Sequence, residues 1–308
     1  MKKACFVTSA SSLLGLGHLK RCLTLAQELQ QIGYACSFNL LEAGGENLVS
    51  EAGFDLRPHS GADTIVVYDV KNLQSSALDI SSYDGVTVVL DDIGSKQPYA
   101  DALINPNIYG ESLIYPKDRY RKVLAGPKFS LVSKEFTKIK SLKLINSPHD
   151  NIVISFGGSD VGQFCLELTK YLSINQQVEV VFSPFCKDSD LAKCPNHVIA
   201  HRGADIKTLF KRANLFVGGA GTMAAEACAA GLPMILTCVA ADQKLNADAW
   251  GKLGVEVYSD FDAKALAAAI MRRCKSEEFS SPRSCAEIID GFGPQRVAHE
   301  LNLLAQSV

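Results

Sequence analysis

Short, nearly continuous apolar runs alternate along the chain with stretches in which apolar residues recur every three or four positions. The runs ACFVTS (4–9), ACSFNL (35–40), TIVVYD (64–69), VTVVLDD (86–92) and DALINPN (101–107) predict buried strands, while 18–32 and 46–53 predict helices. Such alternation implies βαβ units and a parallel sheet covered by helices on both faces. The polar stretch KIKSLKLINSPHD (138–150) interrupts it, and the pattern restarts with NIVISFGG (151–158), VEVVFSP (178–184), NHVIA (196–200), NLFVGG (214–219) and PMILTCV (233–239). Beyond Asp262 three helical segments are expected, at 263–274, 284–291 and 294–306.

The predicted class is therefore α/β, with two Rossmann-like, doubly wound domains facing a cleft. Their expected limits are 1–140 for the first domain, 141–150 for a linker, 151–292 for the second domain and 293–308 for a C-terminal helix. A length of 308 residues agrees, since single cores seldom grow that large.

Composition removes several function classes. A net charge of -2 offers no global attraction to nucleic acid or to an anionic membrane. The first residues read as a strand rather than a signal peptide, because Thr8, Ser9, Ser11 and Ser12 break the apolar run. No stretch carries the roughly 20 apolar residues of a spanning helix, so a cytoplasmic protein without stable membrane insertion is expected. The 10 cysteines are scattered without a C-x-x-C pair, and read as buried small hydrophobes in a reducing compartment. Neither a metal nor a cofactor is expected.

In open parallel sheets ligands bind beyond the carboxyl ends of the strands. After the first strand comes GLGHLKRC (15–22), where Gly15 and Gly17 permit a tight turn and His18 begins a helix. The positive end of the helix dipole would lower the His18 pKa and keep a neutral imidazole able to accept a proton. Capping of the helix is the competing role for His18, and a solvent or surface-pair role competes for Arg21. Asp69, Asp91, Asp92, Asn105 and Asn107 follow later strands, and one of these carboxylates would orient the imidazole. Turn capping is the alternative for these acids, and the favoured one for Asp92.

Two further turns, SFGGSD (155–160) and VGGAGTMAAEACAAGLP (217–233), each join a strand to a helix and present backbone N–H groups suited to phosphate oxygens. Thr222 opens the second helix and Glu226 lies one turn deeper, placed for a ribose unless it is a plain exposed acid. Asp242 is a candidate N-cap after PMILTCV, with Gln243 and Asn246 on one face for sugar hydroxyls, or as a solvated first turn.

These motifs resemble the GT-B fold of nucleotide-sugar enzymes, and GGAGTMAAEACAAGLP (218–233) is similar to the motif of the bacterial N-acetylglucosaminyltransferase that makes lipid II. More narrowly, LGLGHLKRC (14–22), Asp69, Asp91-Asp92, Asn105-Pro106-Asn107, GPKFSLVSKEF (126–136) and SFGGSD (155–160) resemble one hydrolase family. It comprises the UDP-2,4-diacetamido-2,4,6-trideoxy-β-L-altropyranose hydrolases of pseudaminic acid synthesis and related spore-coat polysaccharide proteins. The likeness runs in order over roughly residues 4 to 258. It implies His18 as the base that activates water, and the strand-end reading adds Asp69 as the second catalytic residue. It implies Glu226, Gly157, Gly158, Ser159, Gly221, Thr222 and Gln243 around the nucleotide diphosphate and sugar, and the reading of turns and strand ends adds Gly15, Gly17, Arg21, Asp91, Asn105, Asn107 and Asn246 toward the substrate. The expected partner is a UDP-linked amino sugar, hydrolysed with inversion. A glycosyltransferase, or a nucleotide-sugar-binding protein without catalysis, is the alternative. Where that family carries an arginine and an acid in its first loop, an arginine before the E-F pair and a tyrosine past the strand-end Asp, this chain has Val7, Ser9, Ser133 and Lys71.

Overall fold

A computed structural model describes residues 2–71, 80, 83–94, 98–143, 151–158, 162–172, 177–275 and 287–307, with side chains through 139 in the fourth segment. By Cα packing the chain divides into unit 1, Met1–Val132 with Phe292–Val308, and unit 2, Ser133–Gly291.

Unit 1 contains β1 (Lys3–Thr8), α1 (Gly17–Gln31), β2 (Ala35–Leu40), α2 (Glu46–Glu51), β3 (Asp55–Leu56), β4 (Ile65–Asp69), β5 (Val86–Leu90), β6 (Ala100–Asn105) and β7 (Tyr120–Ala125). Among the described residues they form a seven-stranded sheet in the order β3-β2-β1-β4-β5-β6-β7. Every pairing is parallel. The central strands β4 and β5 are buried along their whole length, as unbroken apolar runs require. Helix α1 buries Leu19, Cys22, Leu25, Ala26 and Leu29, a stripe at helical spacing, and Gly33 at φ 93 stops it. Strands β3 and β7 are additional to the sequence expectation.

Unit 2 contains α3 (Lys134–Lys143), β8 (Asn151–Ser155), α4 (Gln163–Thr169), β9 (Gln177–Phe182), α5 (Asp188–Leu191), β10 (Val198–Arg202), α6 (Ile206–Arg212), β11 (Leu215–Gly219), α7 (Thr222–Ala229), β12 (Met234–Thr237), α8 (Lys244–Lys252), β13 (Glu256–Tyr258) and α9 (Ala263–Lys275). The strands form a parallel sheet in the order β10-β9-β8-β11-β12-β13. Of the stretch 138–150, residues 138–143 continue α3 and 144–150 lie outside the described residues. The helix expected over 284–291 is corrected. Residues 284–286 lie outside the described residues, and 287–291 form a short turn ending at Gly291 with φ 75.

The last helix, α10 (Gly293–Gln306), belongs to unit 1 and packs on α1. It buries Val297, Ala298 and Leu301, and Asn302 accepts hydrogen bonds from Lys2 and Tyr34. At its start, a methyl group on Gly293 would lie 2.1 Å from the Ser130 carbonyl oxygen, so only glycine fits.

In both units the chain builds outward on one side of its first strand, then crosses to the other side. The loops after β1 and β4, and after β8 and β11, therefore diverge and open a crevice at the carboxyl ends. Close approach at the second switch point depends on Gly218, where a Cβ would sit 2.3 Å from the Ser155 backbone oxygen. The sequence reading groups Gly218 with the phosphate turn; the structure gives it a packing role. Gly218→Ala should lower stability by about 1–3 kcal/mol in urea unfolding, because a neighbouring backbone cannot yield as a side chain can. An unchanged midpoint would refute that role.

Candidate active site

The register pairs Thr8, the last residue of β1, with Asp69, the last residue of β4. The Thr8 hydroxyl donates to the Asp69 carbonyl at 3.0 Å and fixes where this acid leaves the sheet. Between β1 and α1 the chain turns at Gly15, whose φ is 76 and whose N–H donates to the Ser11 carbonyl at 2.8 Å. Gly17 then opens α1, so His18, Arg21 and Cys22 share its first face. That face meets Asp69.

Asp69 is 1% exposed and Arg21 is 6% exposed, so their charges are compensated inside the protein. Arg21 Nε donates to Asp69 Oδ2 at 2.6 Å and Nη2 to Oδ1 at 2.6 Å. On its other edge Arg21 donates from Nη1 to Asp92 Oδ1 at 2.7 Å and from Nη2 to Asp92 Oδ2 at 2.8 Å. His18 Nδ1 lies 2.6 Å from Asp69 Oδ1. The ionised carboxylate can only accept, so Nδ1 carries the proton and Nε2 is left as an acceptor. The imidazole is 23% exposed.

The direction of the His18 pKa corrects the sequence expectation. The Asp69 charge raises it above the ordinary 6.5, overcoming burial and the Arg21 charge, which lower it. A helix end carries about half a charge; a full carboxylate at bonding distance outweighs it. Burial alone would raise the Asp69 pKa, but the charges of Arg21 and His18 and their hydrogen bonds hold it well below 3.8. Asp92 is likewise held below its ordinary value, burial being outweighed chiefly by Arg21. Burial pushes the Cys22 thiol well above 9.0, leaving it inert beside Asp69. His18, Asp69 and Asp92 each bring one potential metal-ligand atom within 4.8 Å of the others. The Arg21 guanidinium already lies between the two carboxylates and supplies the positive charge there.

The remaining candidates of unit 1 form a buried chain behind this cluster. Asp91 and Asn105 are 2% and 0% exposed. Asp91 accepts from the Gly94 N–H and the Tyr115 hydroxyl, each at 2.8 Å, and that hydroxyl accepts from Asn105 Nδ2 at 2.8 Å. Asn105 Oδ1 accepts from the backbone and side chain of Asn107, whose Nδ2 reaches Asp92 Oδ1 at 3.0 Å. The structure thus places Asp91, Asn105 and Arg21 among internal partners. It brings in Asp92, read from the sequence as a turn cap, and Tyr115, which that reading missed. The adjacent Asp91-Asp92 pair after a buried strand was the available signal for Asp92.

In unit 2, Gly157 and Gly158 follow β8, with Gly157 at φ 97 and open space where a side chain would stand. Ser159 lies outside the described residues. Gly221 precedes α7, Thr222 is its exposed first residue, and half-buried Glu226 lies one turn on, within the field of Lys207. Gln243 Oε1 accepts from the Val239 N–H at 3.1 Å, and methyl groups on Gly219 and Gly221 would come within 3.2 and 3.5 Å of the Gln243 amide. Gly219, Gly221 and Gln243 thus meet at the carboxyl ends of β11 and β12, with Thr222 next to Gly221 in the chain. The N-cap role expected of Asp242 is corrected, because a 3-10 turn over Ala241–Gln243 puts Gln243 at the N-cap of α8. Asn246 lies one turn beyond Gln243.

No protein-family model matches the sequence. An uncharacterized protein of Methanocaldococcus jannaschii is 26% identical over 278 residues, covering 76% of this chain and 55% of that protein, so the chain spans about half of that relative. The UDP-2,4-diacetamido-2,4,6-trideoxy-beta-L-altropyranose hydrolase of Campylobacter jejuni is 25% identical over 283 residues, covering 83% of this chain and 98% of that protein. Among solved structures, the glycosyltransferase SnogD from Streptomyces nogalater matches with TM-score 0.67 and 16% identity over 99% of both chains. The Streptomyces sp. SF2575 glycosyltransferase SsfS6, complexed with thymidine diphosphate, matches with TM-score 0.67 and 10% identity over 98% of this chain and 100% of that one. MurG of Acinetobacter baumannii matches with TM-score 0.59 and 13% identity over 98% and 99%. The fold is that of the GT-B glycosyltransferases: two parallel-sheet α/β units. Among the described residues no helix is long and apolar enough to cross a membrane.

Proposed function

We propose that this chain is a nucleotide-sugar hydrolase. Water attacks the anomeric carbon of a UDP-linked amino sugar, the bond to UDP breaks with inversion, and the free sugar serves pseudaminic-acid-type nonulosonate synthesis in the cytoplasm. The observation that carries this reading is the 2.6 Å bond from His18 Nδ1 to Asp69, which leaves Nε2 to take the proton of the attacking water. Ordinary glycosidases use a second carboxyl group to protonate a poor leaving group. UDP departs as a stable anion and needs donors for its growing charge instead, which the turns at Gly157, Gly158 and Gly221 would provide. Glu226 would accept from the ribose hydroxyls. The likeness to the Campylobacter jejuni hydrolase, over nearly all of that protein, supports hydrolysis.

Transfer of the sugar to an acceptor hydroxyl is the second reading, favoured by the glycosyltransferases among the solved structures. Incubation with a panel of UDP- and other nucleotide-linked sugars, without acceptor, separates the two by mass spectrometry of the products. Equal amounts of free sugar and UDP are expected; release that waits for an added acceptor would establish transfer. Glu226→Ala should weaken UDP binding by about 10–100-fold in calorimetry, the size of a lost hydrogen bond to a charged group, while turnover at saturation changes little. Undiminished UDP affinity would remove Glu226 from the nucleotide site.

A further inference from the structure

The glycine turn after β8 is held by a side chain from the end of the neighbouring strand. Ser183 stands immediately past β9, is 2% exposed, and donates from Oγ to the Gly158 carbonyl at 2.6 Å. A carbonyl can only accept, so the direction of this bond is fixed. The hydroxyl is oriented in turn by the Phe185 N–H, which donates to the same Oγ at 3.2 Å, inside a turn that the Cys186 N–H closes on the Ser183 carbonyl at 3.0 Å. A second tie comes from Ser155 at the end of β8, whose hydroxyl donates to the Val181 carbonyl of β9 at 3.0 Å. Both serines thus anchor the turn to β9.

Glycine lets a ligand come close to the backbone, as the open space beside Gly157 allows, but it also leaves that backbone free to rotate. Two adjacent glycines without an anchor would present their N–H groups to a phosphate only part of the time, and binding would carry the cost of ordering them. Among the described residues the Gly158 carbonyl has its donor, while no acceptor takes the Gly158 N–H. We propose that Ser183 is a positioning residue for the diphosphate: by holding the Gly158 carbonyl it restricts rotation of the glycine pair and keeps the Gly158 N–H set for a phosphate oxygen. Its burial keeps the hydroxyl away from substrate, so it acts through Gly158. Its effect on binding rests on this turn being a phosphate site, as proposed above.

The test compares UDP with uridine, which differ by the diphosphate alone, on the full-length protein. Wild type should bind UDP more tightly than uridine in calorimetry. Ser183→Ala removes a single oxygen atom and should fold, as thermal unfolding will verify. It should weaken UDP binding about 3–10-fold, the size of one hydrogen bond's net contribution, and leave the affinity for uridine unchanged. Ser183→Thr, which keeps the hydroxyl, should bind UDP as wild type does. In 15N relaxation without ligand, the Gly158 amide should become more mobile in Ser183→Ala; an amide as ordered as in wild type overturns the proposal. Equal weakening of UDP and uridine marks a general disturbance of unit 2 and overturns it as well. Undiminished UDP affinity in Ser183→Ala overturns it while the phosphate reading of the turn stands, whereas a wild type that binds UDP no better than uridine overturns both. A selective loss of UDP in a protein that hydrolyses no nucleotide sugar upholds the role of Ser183 while the hydrolase reading fails.

Discussion

His18→Ala is expected to lower turnover of the nucleotide sugar by about 10²–10⁴-fold, the usual contribution of a positioned base, while UDP binds as tightly as to wild type. Steady-state release of free sugar gives the first quantity and calorimetry with UDP the second. The separation arises because the imidazole belongs to unit 1 and the glycine turns to unit 2. The pH profile adds a signed expectation. The Asp69 charge raises the His18 pKa above 6.5, and the base works only when unprotonated, so kcat/KM should climb with pH through a midpoint above 6.5. Turnover within a few-fold of wild type, or a midpoint below 6.5, would remove His18 from the role of base.

Arg21→Met should have the largest effect on stability. It leaves the Asp69 carboxylate buried without the guanidinium that binds both its oxygens, and strips Asp92 of its partner. Removing one member of a buried ion pair costs about 3–5 kcal/mol. Urea unfolding at neutral pH measures the loss, and its pH dependence identifies the cause. Asp69 and Asp92 have lowered pKa values in the folded chain, so their contribution is present above 3.8 and fades as pH falls through the folded values. The gap between wild type and Arg21→Met should therefore narrow in acid. A constant gap would point to lost packing of the arginine stem instead.

Much of the architecture can be read from the sequence because buried parallel strands leave a strong trace. IVVYD and VTVVL cannot be mistaken for surface, and both fall where expected. Strand β7 escapes because it lies at the sheet edge, where Arg121 and Lys122 pair with Asp101 and Glu300 and dilute the apolar signal. The site shows the same division. His18 and Asp69 stand out because turn chemistry and strand ends mark them. Whether a carboxylate faces a ligand or the interior depends on partners far away in sequence, such as Tyr115 for Asp91 or Arg21 for Asp92, and no local pattern records them. The pKa of His18 is of that kind too, since a dipole is visible in a helix start while a neighbour 51 residues away is not.

The docking of α10 on α1 has a consequence for how the protein is made. Helix α1, on which α10 packs, leaves the ribosome early, and α10 is translated only after all of unit 2. During that interval the nascent N-terminal half carries α1 without the helix that packs on it. Its assembly becomes complete only when translation has passed the closing helix.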